Sequence, residues 1–192
     1  MTGEHEAALK GEAPVQSPEA LARAVLRRSR ERPGDAVVRA TVRKLLEVWE
    51  RGEKPSKALY RAGMASIVAM RASCDGAGVG AVFMHGDRIV TTGVNGALAG
   101  DDECFQHGCD MVNGNCVRTS HAEVNGIAFA AAEGISLKGA TTTQSHGPCW
   151  PCGKLLLTAG IRGVEYLEEY KPDPRVVDAF ARRGFPLKRL EV

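Results

Sequence analysis

The sequence predicts an α/β fold in which one sheet is covered by helices on both faces. Three observations predict it. From residue 56 onward, apolar stretches of strand length alternate with longer helical ones. A pair of strands is turned at Gly86-Asp87. Two helical stretches open directly on chemistry-bearing residues, His121-Ala122-Glu123 and Pro148-Cys149-Trp150-Pro151-Cys152. Size and composition agree. At 192 residues, with 44% hydrophobic and 25% charged residues, the chain has room for one ordinary domain plus an extension.

The elements follow in order. Residues 1–17 carry Gly, Glu, Pro and Gln and read as a disordered N-terminus. Ser17-Pro18 forms an N-cap and first helical position, and Leu21 to Glu31 reads as a short, very basic helix broken by Pro33-Gly34. Val38, Val42, Leu45 and Trp49 then make one apolar stripe of an amphipathic helix that ends between Gly52 and Pro55. Residues 18–55 are thus a basic helical extension, and 56–192 the main domain. In that domain Ser56 to Ser73 reads as a helix with Ile67, Val68 and Met70 available for a core, and Val79 to His85 and Arg88 to Gly93 as the hairpin. Ala99 to Val117 reads as irregular. His121 to Ala132 is a helix rich in Ala, Val and Ile, stopped by Gly134. A strand at Ala140 to Gln144, a helix at Cys152 to Ala159 with Gly160 as its stop, and a strand at Val164 to Glu168 come next. Asp178 to Arg183 lies in a last helix, and Leu187 to Leu190 forms an edge strand. No internal repeat is present.

Composition excludes some functions. A net charge of +2 does not argue for a nucleic-acid partner. No apolar run approaches the roughly 18 residues needed to span a membrane, and residues 1–18 lack a secretory apolar core. The expected location is cytoplasmic, where six Cys suggest metal ligands before disulfides.

His121-x-Glu123 followed by Pro148-Cys149-x-x-Cys152 resembles the pattern of zinc nucleobase deaminases. On that resemblance His121, Cys149 and Cys152 hold zinc, and three protein ligands leave the fourth tetrahedral position open for water. Zinc brings the pKa of such water to about 7. The hydroxide attacks an amidine carbon, which resists attack until the neighbouring ring nitrogen is protonated. Glu123, beside a ligand without being one, takes the proton from water and passes it to that nitrogen and then to departing ammonia. Both Cys stand at a helix N-terminus, where the dipole favours thiolate. The other readings of Cys149-x-x-Cys152 are a redox pair or part of a closed structural zinc site, and neither gives Glu123 a purpose.

The resemblance extends from about Leu59 to Tyr170, to the deoxycytidylate (dCMP) deaminases of the cytidine deaminase superfamily. It rests on Ala72-Ser73-Cys74 leading to Val79-Gly80-Ala81-Val82, Gly93-Val94-Asn95-Gly96, Cys116-Val117-Arg118-Thr119-Ser120-His121-Ala122-Glu123-Val124-Asn125, the two-Cys motif, and Ala159-Gly160-Ile161. It implies a three-layer α/β/α fold with a mixed five-stranded sheet, following the N-terminal helical extension. It implies nucleotide contact by Asn95 and a backbone group of Ala122 for the pyrimidine carbonyl. It further implies a homo-oligomer, and Mg2+ accompanying an allosteric nucleotide. By residue type alone, Asn95 between glycines also reads as a turn residue. Departures from the family pattern are Val94 for Tyr, Leu98 for Pro, Gly126 for Ala, and Asp75-Gly76-Ala77-Gly78 where a basic residue is frequent. They fall on phosphate recognition and on control by dCTP and dTTP, not on the hydrolytic centre.

Cys104, His107, Cys109 and Cys116 offer a second set of soft ligands in a Gly- and Asp-rich segment too polar to fold on its own core. A closed structural zinc would supply the missing stability, as in the Cys-rich insertions of some dCMP deaminases. The alternative is ordinary cysteines in a loop, and a loop His such as His107 is ordinarily solvated. Cys74 reads as a core residue and His146 as part of a surface loop, although just ahead of Pro148 it could also reach substrate. Arg23, Arg27, Arg28, Arg30, Arg32, Arg39 and Arg43 read as a solvated face more than as a nucleic-acid contact.

The expected function is zinc-dependent hydrolysis of dCMP to dUMP and ammonia. The alternatives are the same chemistry on a modified dCMP, a nucleoside or a free base, the same chemistry on RNA or DNA, and a scaffold whose metals are only structural.

Overall fold

Strand β1 (Gly80–His85) is buried at five of its six positions, and around it the rest is arranged. In the computed structural model, which describes residues 32, 35–170 and 173–191, β1 pairs antiparallel with β2 (Arg88–Val94) on one side and β7 (Thr141–His146) on the other. Beyond β7 lie β8 (Gly163–Glu168) and β9 (Leu187–Arg189), both parallel. The sheet is mixed and five-stranded, in the order β2-β1-β7-β8-β9. The parallel pairings require crossovers, and helices supply them.

The two faces follow from the side-chain alternation of β1. Ala81 and Phe83 face a core built with Ala122, Ala130, Leu156, Val176 and Phe180. These come from helices α4 (Ala122–Ala132), α5 (Trp150–Thr158) and α6 (Pro174–Ala181). Val82 and Met84 point the other way, toward Ala65 of helix α2 (Lys57–Ala69). The result is the expected three-layer sandwich. Ser56 caps α2, its hydroxyl accepting from Leu59 N at 3.1 Å.

Helix α1 (Asp35–Glu50) packs on α2 through Val38 and neighbouring residues. The apolar stripe does not hold to its end, because Trp49 is 72% exposed. Nor does Arg32 belong to a solvated basic face. It is half-buried, pairs with Asp35 at 2.7 Å, and donates to the carbonyls of Ala72 and Cys74. The expected helix at Leu21 to Glu31 and the remaining arginines before it lie outside the described residues.

Between β2 and α4 the chain is not irregular throughout. It makes a short bridge β3 (Gly96–Ala97) with β6 (Thr119–Ser120), one helical turn α3 (Cys104–His107), and a hairpin of β4 (Met111–Val112) and β5 (Asn115–Cys116). That hairpin turns at Asn113-Gly114, both at positive φ, as two-residue hairpin loops require. Helix α6 contains the expected Asp178 and begins at Pro174. Asp173 caps it through Arg175 N, and Pro174 sits in its first turn.

Candidate metal centre and active site

Two helix N-termini meet on one side of the sheet. His121 is the N-cap residue of α4 and Cys149 that of α5, both with extended backbone, and Pro151 lies in the first turn of α5. This brings Cys149 Sγ within 3.5 Å and Cys152 Sγ within 3.3 Å of His121 Nδ1. The three donor atoms all lie within 4.8 Å of one another. Two sulfurs and an imidazole nitrogen so gathered fit zinc, with too few donors to close a tetrahedron. Hydrogen bonding from Cys152, with a further contribution from His121, outweighs burial and brings the Cys149 thiol down to about 4. The same pairing, together with burial, pushes Cys152 up. The pair therefore shares a proton that a bound cation would expel.

Glu123, in the first turn of α4, is 4% exposed. Burial pushes its carboxyl above the ordinary range, and its own backbone amide, His121 and the Cys152 thiol pull the other way. A carboxylate beside three metal donors, held from solvent and not itself among them, has the placement of a proton carrier.

These groups open into a cavity of about 730 Å3, a size suited to a small-molecule ligand. Asn95 and Ala122 both line it. Asn95 is 7% exposed, and its carboxamide ties down the preceding segment, accepting from Val79 N and donating to Ala77 O, both at 2.8 Å. Ala122 N–H belongs to the first turn of α4, whose amides have no partner within a helix. Asn125 Nδ2 donates to Val94 O at 2.6 Å, tying α4 to the end of β2.

One lining residue stands elsewhere than the sequence reading favoured, and another escaped it. His146 is not in a surface loop. It ends β7, is 2% exposed, and meets Tyr170 edge-on with ring centroids 5.8 Å apart. Among the described residues Arg175 is the one Lys or Arg that lines the cavity. It pairs with Asp173 and lies over the Trp150 ring at 5.4 Å. Reading Asp173-Pro174 as an N-cap and first helical residue would have placed Arg175 at a helix start facing the metal loop.

The second cluster differs from expectation by one residue. Cys104, Cys109 and Cys116 come together, but the fourth member is Cys74, not His107, and the four sulfurs lie within 4.8 Å of one another. Cys74 stands 3.9 Å from Cys109, and Cys104 stands 3.6 Å from Cys116. His107 ends the single turn α3, where its ring faces Asp102 at 3.2 Å on the exposed side. Four thiols at this spacing fit a closed structural metal site. Burial raises Cys104 and Cys109. At Cys116 burial is outweighed by hydrogen bonds from Cys104, the Arg118 backbone, Thr119 and Cys109, which bring the thiol down to about 7.

Candidate metal donors beside a cavity, with a buried acid next to them on this α/β/α sheet, fit the hydrolytic deaminases. The chain belongs to the family whose shared region is the cytidine and deoxycytidylate deaminase zinc-binding region, matched over residues 55–168. It is 34% identical over 133 residues to ComE operon protein 2 of Bacillus subtilis, covering 69% of this chain and 70% of that one. It is also 34% identical over 124 residues to a deoxycytidylate deaminase of Mycobacterium phage D29, covering 57% of this chain and 93% of that one. The crystal structure of the dCMP deaminase from cyanophage S-TIM5 in complex with dCMP and dUMP aligns with a TM-score of 0.61. The identity there is 25%, over 71% of this chain and 98% of that one. Among the described residues no helix is long and apolar enough to cross a membrane.

Proposed function

We propose that the protein hydrolyses dCMP to dUMP and ammonia. The observation that carries this reading is the convergence of His121, Cys149 and Cys152 on one cavity with the buried Glu123 carboxylate among them. Zinc held by those three residues supplies acidified water at neutral pH. The chain's own groups do the rest. Glu123 takes the proton of the attacking water, delivers it to N3 of the ring, and hands the next to the departing amino group. One C–N bond breaks, one C–O bond forms, and ammonia leaves neutral. The Ala122 N–H orients the pyrimidine carbonyl, and Asn95 borders the sugar end. Arg175 supplies the cation for the 5′-phosphate, in place of the basic residue that Asp75-Gly76-Ala77-Gly78 lacks. A second zinc held by Cys74, Cys104, Cys109 and Cys116 fixes the β4–β5 hairpin, part of which lines the cavity.

The test is ammonia release from dCMP, CMP, deoxycytidine, cytosine and 5-substituted dCMP by the zinc-loaded protein. Preference for dCMP over deoxycytidine, lost in Arg175→Ala through a raised KM, is the expected outcome. Equal turnover of deoxycytidine would reassign the substrate to a nucleoside.

A further inference from the structure

Gln144 occupies the middle of β7, opposite Ala81 of β1 and Tyr166 of β8. It shares the sheet face of Ala81, the face covered by α4. Its side chain is fully buried. A long amide in the centre of a sheet is an expensive choice, because every donor and acceptor on it must find a partner away from water. In the orientation that satisfies both amide atoms, Gln144 Nε2 donates to Glu123 Oε1 at 3.2 Å and to His146 O at 3.1 Å. Both amide hydrogens are then used, one of them on the carboxylate that carries the proton. The other anchors on the backbone at the end of its own strand, so the donor is fixed to the sheet and not to the helix that Glu123 rides on.

A carboxylate on the first turn of a helix can rotate about three side-chain torsions. Burial limits that freedom but does not select one rotamer. A neutral donor rooted in the central strand does. From this geometry we infer that Gln144 is a positioning residue for Glu123: it pins Oε1 and so sets the direction in which the carboxylate presents its other oxygen to the cavity. The inference rests on the deaminase reading. It adds a residue that lies outside both the His-x-Glu and the Pro-Cys-x-x-Cys motifs. A purely structural role, filling the sheet interior, would be met as well by an apolar side chain of equal length.

Gln144→Met keeps the length and removes the donors. The expected result with the zinc-loaded protein is a fall in kcat of roughly 10- to 100-fold with KM for dCMP within about twofold, and with bound zinc unchanged. A binding measurement gives a readout independent of turnover. The deoxynucleotide of pyrimidin-2-one takes up water across its ring and resembles the tetrahedral stage of the reaction, whereas dUMP resembles only the product. Gln144→Met is expected to weaken the first by about the same factor as kcat and to leave the second unchanged. In a Glu123→Ala background, where nothing remains to be oriented, Gln144→Met is expected to weaken the analogue no further. Equal weakening in both backgrounds would mean that Gln144 acts through the fold, and would overturn the inference. Unchanged kcat in a folded, zinc-containing Gln144→Met would do the same while leaving the deaminase reading intact. A wild-type chain that neither turns over dCMP nor binds the analogue would overturn both.

Discussion

At the scale of single residues, the site is governed by one buried acid. Glu123 was legible as a candidate from its position two residues after His121, where the proposed zinc hydrolase needs a proton carrier. Its environment was not legible, since burial depends on strands far away in sequence. That environment has a sign that can be checked. Burial raises the carboxyl above its ordinary value of 4.5, so the folded state binds the proton more tightly than the unfolded chain. A group of this kind adds stability below the ordinary carboxyl pKa and loses it as pH rises through the folded value. Near neutrality the ionised Glu123 is therefore a cost to the fold of the zinc-free chain, where no cation offsets its charge. Without zinc, Glu123→Gln is expected to melt at or above the wild-type temperature there; loaded, it is expected to retain zinc and to lose roughly 100- to 10,000-fold in kcat. Melting curves of the two zinc-free proteins decide the point; a markedly less stable Glu123→Gln would mean that the carboxylate holds the fold together instead of burdening it.

At the scale of elements, the strands and helices that carry the site were read close to where they stand, because each is bounded by a strong local signal. Gly134 and Gly160, both at positive φ, follow α4 and α5, and Ser56 caps α2. Two signals were present and passed over. Asn113-Gly114 is a hairpin turn within a stretch read as irregular, and Asp173-Pro174 starts α6 a turn before the apolar periodicity becomes visible. What no local signal reports is how closely elements approach. Gly93 of β2 lies directly beneath α4: a Cβ there would collide with Ala122 O and the backbone of Gly126. Backbone cannot yield as a flexible side chain can, so α4 would have to lift away from the sheet. Gly93→Ala is expected to cost about 1–3 kcal/mol and, more tellingly, to weaken zinc retention during dialysis, because the N-terminus of α4 carries His121 away from Cys149 and Cys152. A variant that is destabilised but holds zinc as tightly as wild type would show that the helix pivots about its metal end.

At the scale of the whole molecule, the question is what fastens residues 98–120 to the rest. This segment contributes one fully buried side chain of size, Cys104, and exposes Met111, Val112 and Val117. Its strands are two residues long. It has too little apolar surface to hold itself by burial, so a cross-link must do so. The sequence pointed to the cluster with His107 as its fourth member, where the structure gathers Cys74 instead, for a definable reason. His107 is near Cys104 and Cys109 in sequence, yet a single helical turn sends its side chain outward to Asp102. Cys74 is thirty residues before Cys104, and only the pairing of the sheet brings it near. The choice has mechanical meaning: a site closed by His107 would tie the segment to itself, whereas Cys74 ties it to the chain leaving α2, where Arg32 also binds the Cys74 carbonyl at 3.0 Å. Cys74→Ser is therefore expected to lower bound zinc from about two ions per chain to about one and to destabilise the protein by more than about 4 kcal/mol, while His107→Ala leaves both zinc content and melting temperature near wild type. Metal analysis by plasma mass spectrometry alongside calorimetric melting separates the two. If His107→Ala loses the metal instead, the four-thiol arrangement is not the ligand set in solution, and the segment is closed on itself.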